Sequence, residues 1–378
     1  MIINRLHLQN FRNHVETDLQ FGRYINIITG PNGSGKTNLI DAIHYLCMSR
    51  SFVATSDRYV VNNDSSFFFI KGEFSGQIRS EFEVTCTYSA GEGKKLFVND
   101  GPLDRFSDLI GMVPVVVLSP ADRALTREGP SERRSFIDSF ISQISSTYLK
   151  HLVEFKRIVK QRNTLLQDFN GPRDLLIQYL EPWDKQLAEV GSKIIAKRTK
   201  VLNNFHDYLE NIYKMITGMT HIPNFTYQTI CDPDTNHEVL VEKYQEKIAD
   251  KQNYEIDREL TTIGPHRDEI VFYLNDMELR KYGSQGQHRL FALSLKLSQL
   301  FYYSDELEDL PIFLLDDVFG DLDEGRTQIL LEALAKYAGQ VFITSAAPLP
   351  FDDYIDFDTA NNCRFHFKNG NVEKLVTT

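Results

Sequence analysis

The sequence predicts an α/β fold into which a helical lobe is inserted. Two short, largely apolar segments, Ile25–Ile28 and Pro311–Leu315, have the composition of buried strands in a parallel sheet. Between them, from Ser131 to about Thr217, apolar residues recur at helical spacing. The expected parts are the N-terminal part of a head at 1–122, the helical lobe at 123–255 and the C-terminal part of the head at 256–378.

The first of these strands leads into a glycine-rich loop, GPNGSGKT, and then into a run with helical spacing. Successive backbone N–H groups of such a loop curl around phosphate oxygens, and the helix N-terminus adds positive potential. We expect Lys36 to reach the β- and γ-phosphates and Thr37 to hold Mg²⁺. The predicted nucleotide-binding residues are Gly30, Pro31, Asn32, Gly33, Ser34, Gly35, Lys36 and Thr37.

The chain between the loop helix and about Asp122 is predicted to be rich in strands. Strand-like runs occur at 67–70, 81–85, 96–98 and 114–118, and Asn99-Asp100-Gly101 is a turn signal between two of them. These runs indicate a β-rich subdomain within the head.

The lobe is predicted to contain two antiparallel helices that meet near Gly171-Pro172. Each would be about 50 Å long or less at about 1.5 Å per residue, which is too short for an extended coiled-coil arm. A second break is expected near Pro182, and Ser131 is a candidate N-cap of the first helix.

The lobe is basic, although the whole chain has a net charge of -11. The segment Arg123–Leu202 contains 15 Lys and Arg residues against 9 Asp and Glu residues. In Leu149–Leu166 the apolar residues recur at helical spacing while four cations project to the other side, and Arg162 interrupts the apolar side. Those cations are Lys150, Lys156, Arg157 and Lys160. Such a face is either merely solvated or a surface for nucleic-acid phosphates.

The second apolar strand ends in two carboxylates, Asp316 and Asp317. Adjacent residues of a strand point to opposite sides, so the two acids can have different roles. Asp316 is suited to hold Mg²⁺, and Asp317 to orient the attacking water or accept its proton. The alternative is that the Asp-Asp pair merely opens a turn. The phosphate loop favours the metal-binding interpretation, because an NTPase needs an acid beside the loop threonine to hold Mg²⁺.

A third motif, Ser284-Gln285-Gly286-Gln287, precedes an apolar helix expected from about Gly286 to Tyr303. Taken alone it is equally a glycine-containing loop with an N-cap. Its position before the acidic strand resembles the signature motif of ATP-binding-cassette ATPases. That resemblance implies that the signature of one protomer covers the γ-phosphate held by the other, and that the following segment, Phe319–Asp323, is a D-loop.

Seven segments together resemble the RecF family of SMC-like, ABC-type ATPases. They are LHLQNFRNH at 6–14, GPNGSGKTNLIDAIHYL at 30–46, LSPAD at 118–122, GPSERRSFID at 129–138, GPHRDE at 264–269, GSQGQ at 283–287 and LLDDVFGDLDEGR at 314–326. The resemblance implies an ABC-type ATPase head with a mixed sheet. The D-loop departs from the familiar pattern at Gly320-Asp321, and LSPAD departs from it at Ala121.

The same resemblance implies the functional class. The expected protein is an ATP-dependent homodimer that binds junctions of single- and double-stranded DNA. It would act in DNA repair, replication restart and the SOS response, and load recombinase with RecR and RecO. ATP and Mg²⁺ are the implied cofactors, and slow, DNA-stimulated ATP hydrolysis would serve as a switch. Whether the chain turns over ATP stays open.

Resemblance also places Arg12 and Asn13 near the nucleotide. Four further residues of the shared segments receive no catalytic role, because they can equally form ion pairs or caps. They are Arg133, Arg134, His266 and Arg267.

Three alternatives remain. The nucleotide-binding subunit of a membrane transporter usually has far fewer than the 247 residues that separate loop and signature here, and a switch His where this chain has Thr344. A structural chromosome protein of the SMC type needs a long heptad arm. A binding protein with a vestigial ATPase is opposed by the intact Lys36, Thr37, Asp316 and Asp317.

Composition predicts a cytoplasmic protein without a membrane partner. The N-terminus lacks the apolar core of a signal peptide, and no apolar stretch approaches the roughly 18 residues that span a bilayer. The four cysteines have no metal-ligand spacing and are expected to be free thiols. They are Cys47, Cys86, Cys231 and Cys363.

Overall fold

The computed structural model describes residues 1–218, 221–230, 236–346, 355–357, 361–368 and 371–375. The chain forms two compact units. The first comprises Met1–Asp122, Met215–Gly218 and Leu293–Thr378, and the second comprises Arg123–Lys214 and Met219–Ala292. The three predicted ranges stay a prediction, although the expected boundary after residue 255 falls inside the second unit.

The first unit contains a mixed sheet with a parallel core. Its strands are β3 (Ile25–Thr29), β8 (Val115–Leu118), β12 (Ile312–Asp316), β13 (Gln340–Ser345), β14 (Cys363–Lys368) and β15 (Asn371–Leu375). Their order is β15-β14-β3-β13-β12-β8, and every pair except β14 with β15 is parallel. The two predicted buried strands, β3 and β12, are therefore separated by β13 alone.

A second sheet of the first unit is antiparallel. Its strands are β1 (Ile2–Phe11), β2 (His14–Gln20), β4 (Phe67–Ser75), β5 (Phe82–Ser89), β6 (Gly93–Val98) and β7 (Gly101–Pro102). They pair in the order β2-β1-β4-β5-β6-β7. The predicted turn is confirmed: Asn99 and Asp100 adopt positive φ between β6 and β7, as a tight hairpin requires.

Helix α1 (Lys36–Met48) contacts strands of both sheets. Its side chains belong to one large apolar core with residues of both sheets, and this burial fixes the helix that follows the glycine-rich loop. Cys47, Cys86 and Cys363 are buried free thiols, as expected, while Cys231 lies outside the described residues. Helix α9 (Glu324–Tyr337) also lies wholly in this unit.

The second unit is mainly helical. Its elements are α2 (Ala124–Arg127), α3 (Pro130–Ile144), α4 (Ser146–Asp168), α5 (Arg173–Thr217), β9 (Pro223–Gln228), α6 (His237–Arg258), β10 (Glu269–Leu274), β11 (Met277–Glu278), α7 (Leu279–Tyr282) and the first part of α8 (Gln285–Glu306). The last residues of α5 and the larger part of α8, from Leu293, lie in the first unit. Strands β9, β10 and β11 form a small antiparallel sheet. Because β9 and β10 pair, the chain on both sides of residue 255 belongs to one unit.

Three details of the lobe differ from expectation. The predicted break at Pro182 is wrong, because Pro182 lies inside α5, which is one continuous helix of 45 residues. At about 1.5 Å per residue that helix is roughly 68 Å long, so the limit of about 50 Å is also wrong. Buried Leu180 and Leu187 flank the proline, and their packing offsets the single helical hydrogen bond that it removes. The N-cap of α3 is Gly129 with Pro130 at the first helical position, so Ser131 is not the cap.

Arg162 interrupts the apolar side of α4 because it forms a buried ionic cluster. Its guanidinium lies 2.7 Å from Asp184 of α5 and 2.7 Å from Glu255 of α6, and it also donates to Thr261 at 2.9 Å. A buried charge is tolerated only when it is paired in this way.

A second buried arginine, Arg198, joins α3, α5 and the segment before β10. It donates to Asp138 at 2.7 Å, to the Pro265 carbonyl at 2.7 Å and to Asp268 at 3.0 Å. Tyr227 of β9 also donates to Asp268. The GPHRDE segment is therefore built into the core of the second unit.

None of the helices in the described parts of the chain is long and apolar enough to cross a membrane.

Candidate functional site

The glycine-rich loop between β3 and α1 depends on glycines in conformations that side chains rarely adopt. Gly30, Gly33 and Gly35 have φ of 149°, 79° and 107°. A Cβ at Gly30 would clash with the carbonyl oxygen of Phe367, so glycine is needed there for space as well. The loop thus curls as the sequence predicts.

Lys36 folds back over this loop. Its Nζ donates to the carbonyl oxygens of Gly30 at 2.7 Å and Pro31 at 2.9 Å. Burial lowers the pKa of Lys36, and the charges of Asp317 and Asp316 oppose that shift. The hydroxyl of Ser34 is buried and has no hydrogen-bond partner among the described residues. A loop with an ammonium and an unpartnered hydroxyl suits a phosphate group.

The acid of β12 lies directly beside the start of α1. Thr37 Oγ1 donates to the Asp316 carboxylate at 2.8 Å and 3.0 Å. Asp316 is also paired with Thr344 in the parallel register of β12 and β13, and Thr344 Oγ1 donates to it at 2.7 Å. A hydroxyl and a carboxylate at this distance form the oxygen pair that would bind Mg²⁺.

Asp317 points away from Asp316. Its φ of 50° turns the chain at the end of β12, and its backbone N–H donates to the carbonyl oxygen of Thr344 at 3.2 Å and to its hydroxyl at 3.0 Å. The side chain is exposed. This left-handed backbone is uncommon for a residue with a side chain, and it presents the Asp317 carboxylate to solvent beside the loop lysine.

Asn13 and His14, at the start of β2, support the loop from its other side. Asn13 Oδ1 accepts from Asn38 at 2.7 Å, and His14 Nε2 lies 3.1 Å from the carbonyl oxygen of Gly35. His14 Nδ1 lies 3.0 Å from Thr17 Oγ1. Burial lowers the pKa of His14, so the ring is neutral near pH 7 and Nε2 carries the proton that it donates to Gly35.

His14 was missed by sequence reasoning. Its only signal was its place at the end of the segment LHLQNFRNH. Arg12 contacts two other parts of the first unit: Nη1 donates to the Tyr59 carbonyl at 3.1 Å, and Nη2 lies 3.6 Å from the buried Asp41 of α1. These contacts support α1, and the place of Arg12 near the nucleotide stays a prediction.

The signature residues Ser284, Gln285, Gly286 and Gln287 lie in the second unit, whereas the loop lies in the first. Gln287 N–H donates to Ser284 Oγ at 3.3 Å, and Ser284 N–H donates to the Gln287 side chain at 2.8 Å. This capping box starts α8, so the N-cap interpretation is realised. A Cβ at the exposed Gly286 would meet nothing within 4 Å. Packing within the chain therefore does not explain this glycine.

Three of the four residues left without a role make polar contacts within the second unit, and the fourth, Arg267, has an exposed side chain. Arg133 donates to Glu269 at 2.8 Å and to the carbonyl oxygen of Glu128 at 2.8 Å, and Arg134 donates to the carbonyl oxygen of Asp268 at 2.8 Å. His266 Nε2 lies 3.2 Å from the carbonyl oxygen of Thr261, and burial lowers the pKa of His266 to about 4. His266 is therefore neutral near pH 7.

Comparisons with known proteins place this geometry in a family. The family model described as the RecF/RecN/SMC N terminal domain matches residues 2–354. The DNA replication and repair protein RecF of Salinibacter ruber is 41% identical over 385 residues, which cover 100% of this chain and 92% of that protein. The chain belongs to the RecF family.

Other relatives agree with this assignment. The RecF protein of Chloroherpeton thalassium is 40% identical over 91% of this chain and 95% of its own length. The solved structure of the recombination mediator protein RecF with ATP in the RecFOR pathway is 30% identical, with a TM-score of 0.89 over 99% of both chains. An Smc head bound to the C-winged helix domain of ScpA, at 12% identity and a TM-score of 0.56, shares the fold alone. The predicted ABC-type ATPase fold is confirmed, and the transporter and structural SMC alternatives are set aside.

Removal of the loop ammonium tests the site. We expect Lys36→Ala to lose ATP affinity at least about tenfold, because a charged hydrogen bond contributes about 1.5–3 kcal/mol. Titration calorimetry with ATP measures this. The matched control is Lys71→Ala, which should bind ATP normally. It removes a lysine of β4 that is paired with Glu83 of β5. Equal affinities in both variants would contradict the loop assignment.

Proposed function

We propose that this chain is an ATP-dependent DNA-binding protein of recombinational DNA repair and replication restart. The single observation that carries the proposal is the contact of Thr37 with Asp316 beside the glycine-rich loop, in a chain of the RecF family. Relatives named DNA replication and repair proteins, and a relative solved with ATP, support it.

ATP is the proposed ligand of the loop, with Mg²⁺ as its counterion. Lys36 and the backbone N–H groups of residues 30–35 would hold the phosphates, and Thr37 and Asp316 would hold the ion. Bound Mg²⁺ neutralises charge that develops on the phosphates. Thr344, which donates to Asp316 at 2.7 Å, keeps that carboxylate directed at Thr37. The fit rests on the unpartnered hydroxyl of Ser34 and on the oxygen pair.

Asp317 is proposed to act on water. Its backbone N–H is shared between the carbonyl oxygen and the hydroxyl of Thr344, so the exposed carboxylate starts from a fixed backbone position next to the proposed ion ligands. From there it can orient a water molecule for in-line attack and accept its proton. With this role for Asp317 the chain would be an ATPase, and the slow rate and the use of hydrolysis as a switch are what its family resemblance implies.

Exchange of the Asp317 carboxylate for an amide tests this role. Asp317→Asn should keep ATP affinity and lower single-turnover hydrolysis by about 10²- to 10⁴-fold, the usual contribution of a general base. Phosphate release measures the rate. Asp100→Asn, in the exposed β6–β7 turn, is the control and should hydrolyse ATP normally. Undiminished hydrolysis by Asp317→Asn would exclude the role.

The signature is proposed to complete the site of a second copy. Ser284, Gln285 and Gly286 are exposed at the N-terminus of α8, where free N–H groups and the helix dipole favour an anion. An exposed glycine with open space around it allows another backbone and a phosphate to approach closely. ATP would thus hold two copies together.

A bulky cation at the signature should prevent this association. We expect Ser284→Arg to bind ATP as a monomer but to remain monomeric, because the new side chain occupies the approach to the N-terminus of α8. Sedimentation velocity with and without ATP measures the mass. Ser131→Arg on α3 adds the same charge elsewhere in the second unit and should still dimerise. Dimer formation by Ser284→Arg would rule out this interface.

DNA is the proposed partner of the basic face of α4, formed by Lys150, Lys156, Arg157 and Lys160. All four are exposed, and none has a carboxylate within 4.0 Å among the described residues. By contrast, Lys185 and Lys193 of α5 are each paired with a glutamate at 2.7 Å. Unpaired cations in a row suit a phosphate backbone. RecR and RecO are the further proposed partners, supported by the RecFOR pathway of the solved relative, and the proposed location is the cytoplasm.

Removal of charge from this face should weaken the binding of the protein to DNA, whatever the DNA sequence. In the triple variant Lys156→Ala, Lys160→Ala and Arg157→Ala, the slope of log affinity against log salt should fall by about 1 for each phosphate that the protein no longer neutralises. Fluorescence anisotropy with duplex DNA at several salt concentrations measures it. Removal of Lys243, Lys247 and Lys251 from α6 changes net charge equally and should leave the slope intact. An unchanged slope in the α4 variant would place DNA elsewhere.

A further inference from the structure

A groove runs along α4 beside the basic face. It encloses about 460 Å³, within the size range of small-molecule pockets. The α4 residues that line it recur every four positions, so the groove follows the helix for about three turns. They are Phe155, Lys156, Val159, Lys160, Asn163, Thr164 and Gln167, and the loop residue His266 completes the lining.

The floor of the groove is apolar and aromatic. The Phe155 and His266 rings lie 5.6 Å apart, and Val159 is half-buried beside them. Because burial lowers the pKa of His266 to about 4, its ring is uncharged near neutral pH. Such a floor suits a flat, neutral group and provides no positive charge to bind an anion.

The rim adds two cations and two fixed amides. Lys156 and Lys160 are one turn apart, so their Cβ atoms are separated by about 6 Å and both cations can contact one stretch of a phosphate backbone. Asn163 Oδ1 already accepts from Thr261 N–H at 2.8 Å and Thr261 Oγ1 at 2.7 Å, which leaves its amino group as donor. Gln167 Nε2 donates to the Glu259 carbonyl at 3.2 Å, which leaves its oxygen as acceptor.

We propose that this groove binds an unpaired nucleotide of DNA, with the base or sugar over the floor and the flanking phosphates on Lys156 and Lys160. A nucleobase edge carries both donors and acceptors, which matches the donor of Asn163 and the acceptor of Gln167. The carboxylates of an acidic peptide would match the lysines but not the Gln167 oxygen. A paired base cannot enter, because both of its faces are covered in the stack. The proposal rests on the proposed DNA-binding function of α4.

Filling the groove without changing charge tests this proposal. Thr164→Trp places an indole at an exposed edge of the groove. Its affinity for oligothymidine of about 20 nucleotides should fall about tenfold, the usual contribution of one bound base, while duplex affinity should stay within about twofold. Gln245→Trp adds the same indole at an exposed position of α6, outside the groove lining, and should change neither affinity. Anisotropy with both labelled DNAs measures the effect.

The outcomes separate this site from the proposed function. If Thr164→Trp binds single strands as the wild type does, the nucleotide site is wrong even when the α4 charge variant loses duplex affinity. If Thr164→Trp stops an aspartate-rich peptide from binding but leaves both DNA affinities intact, the groove is a peptide site and the proposal is likewise wrong. If the charge variant keeps its full duplex affinity, the proposed function of α4 fails first.

Discussion

The parallel pairing of β12 with β13 is the constraint on which the candidate site depends. It brings Asp316 against Thr344, and the adjacent α1 brings Thr37 to the same carboxylate. The apolar core that holds α1 against both sheets therefore positions Thr37 and Asp316, the proposed metal ligands. A shift of one residue in this pairing would turn Asp316 to the other face of the sheet and separate it from Thr37.

The same pairing explains how adjacent acids differ. Asp316 ends the strand and is buried, whereas Asp317 begins the turn with φ of 50° and is exposed. The backbone N–H of Asp317 is shared between the carbonyl oxygen and the hydroxyl of Thr344. One threonine thus holds the Asp316 carboxylate and the Asp317 backbone.

The loop, α1, the acidic strand and the basic face of α4 could be predicted because each depends on residues that are close together in the sequence. The loop needs positive φ at positions where the sequence has glycine. The buried side of α4 is predicted by the helical spacing of its apolar residues. The prediction failed where long-range packing decides. Pro182 predicts a helix break, yet the packing of its buried neighbours keeps α5 continuous. Arg162 interrupts the apolar side of α4, and only the folded chain brings its partners Asp184 and Glu255 to it.

His14 belongs to the same class, since its role comes from a carbonyl 21 positions away in the chain. A neutral imidazole that donates to Gly35 fixes the last loop residue before Lys36, and burial keeps it neutral near pH 7. Protonation would make both ring nitrogens donors, and Nδ1 would then no longer accept from Thr17. The bond to the Gly35 carbonyl itself raises the pKa of His14, and burial outweighs it, so the loop is held by a ring that the core of the first unit keeps neutral.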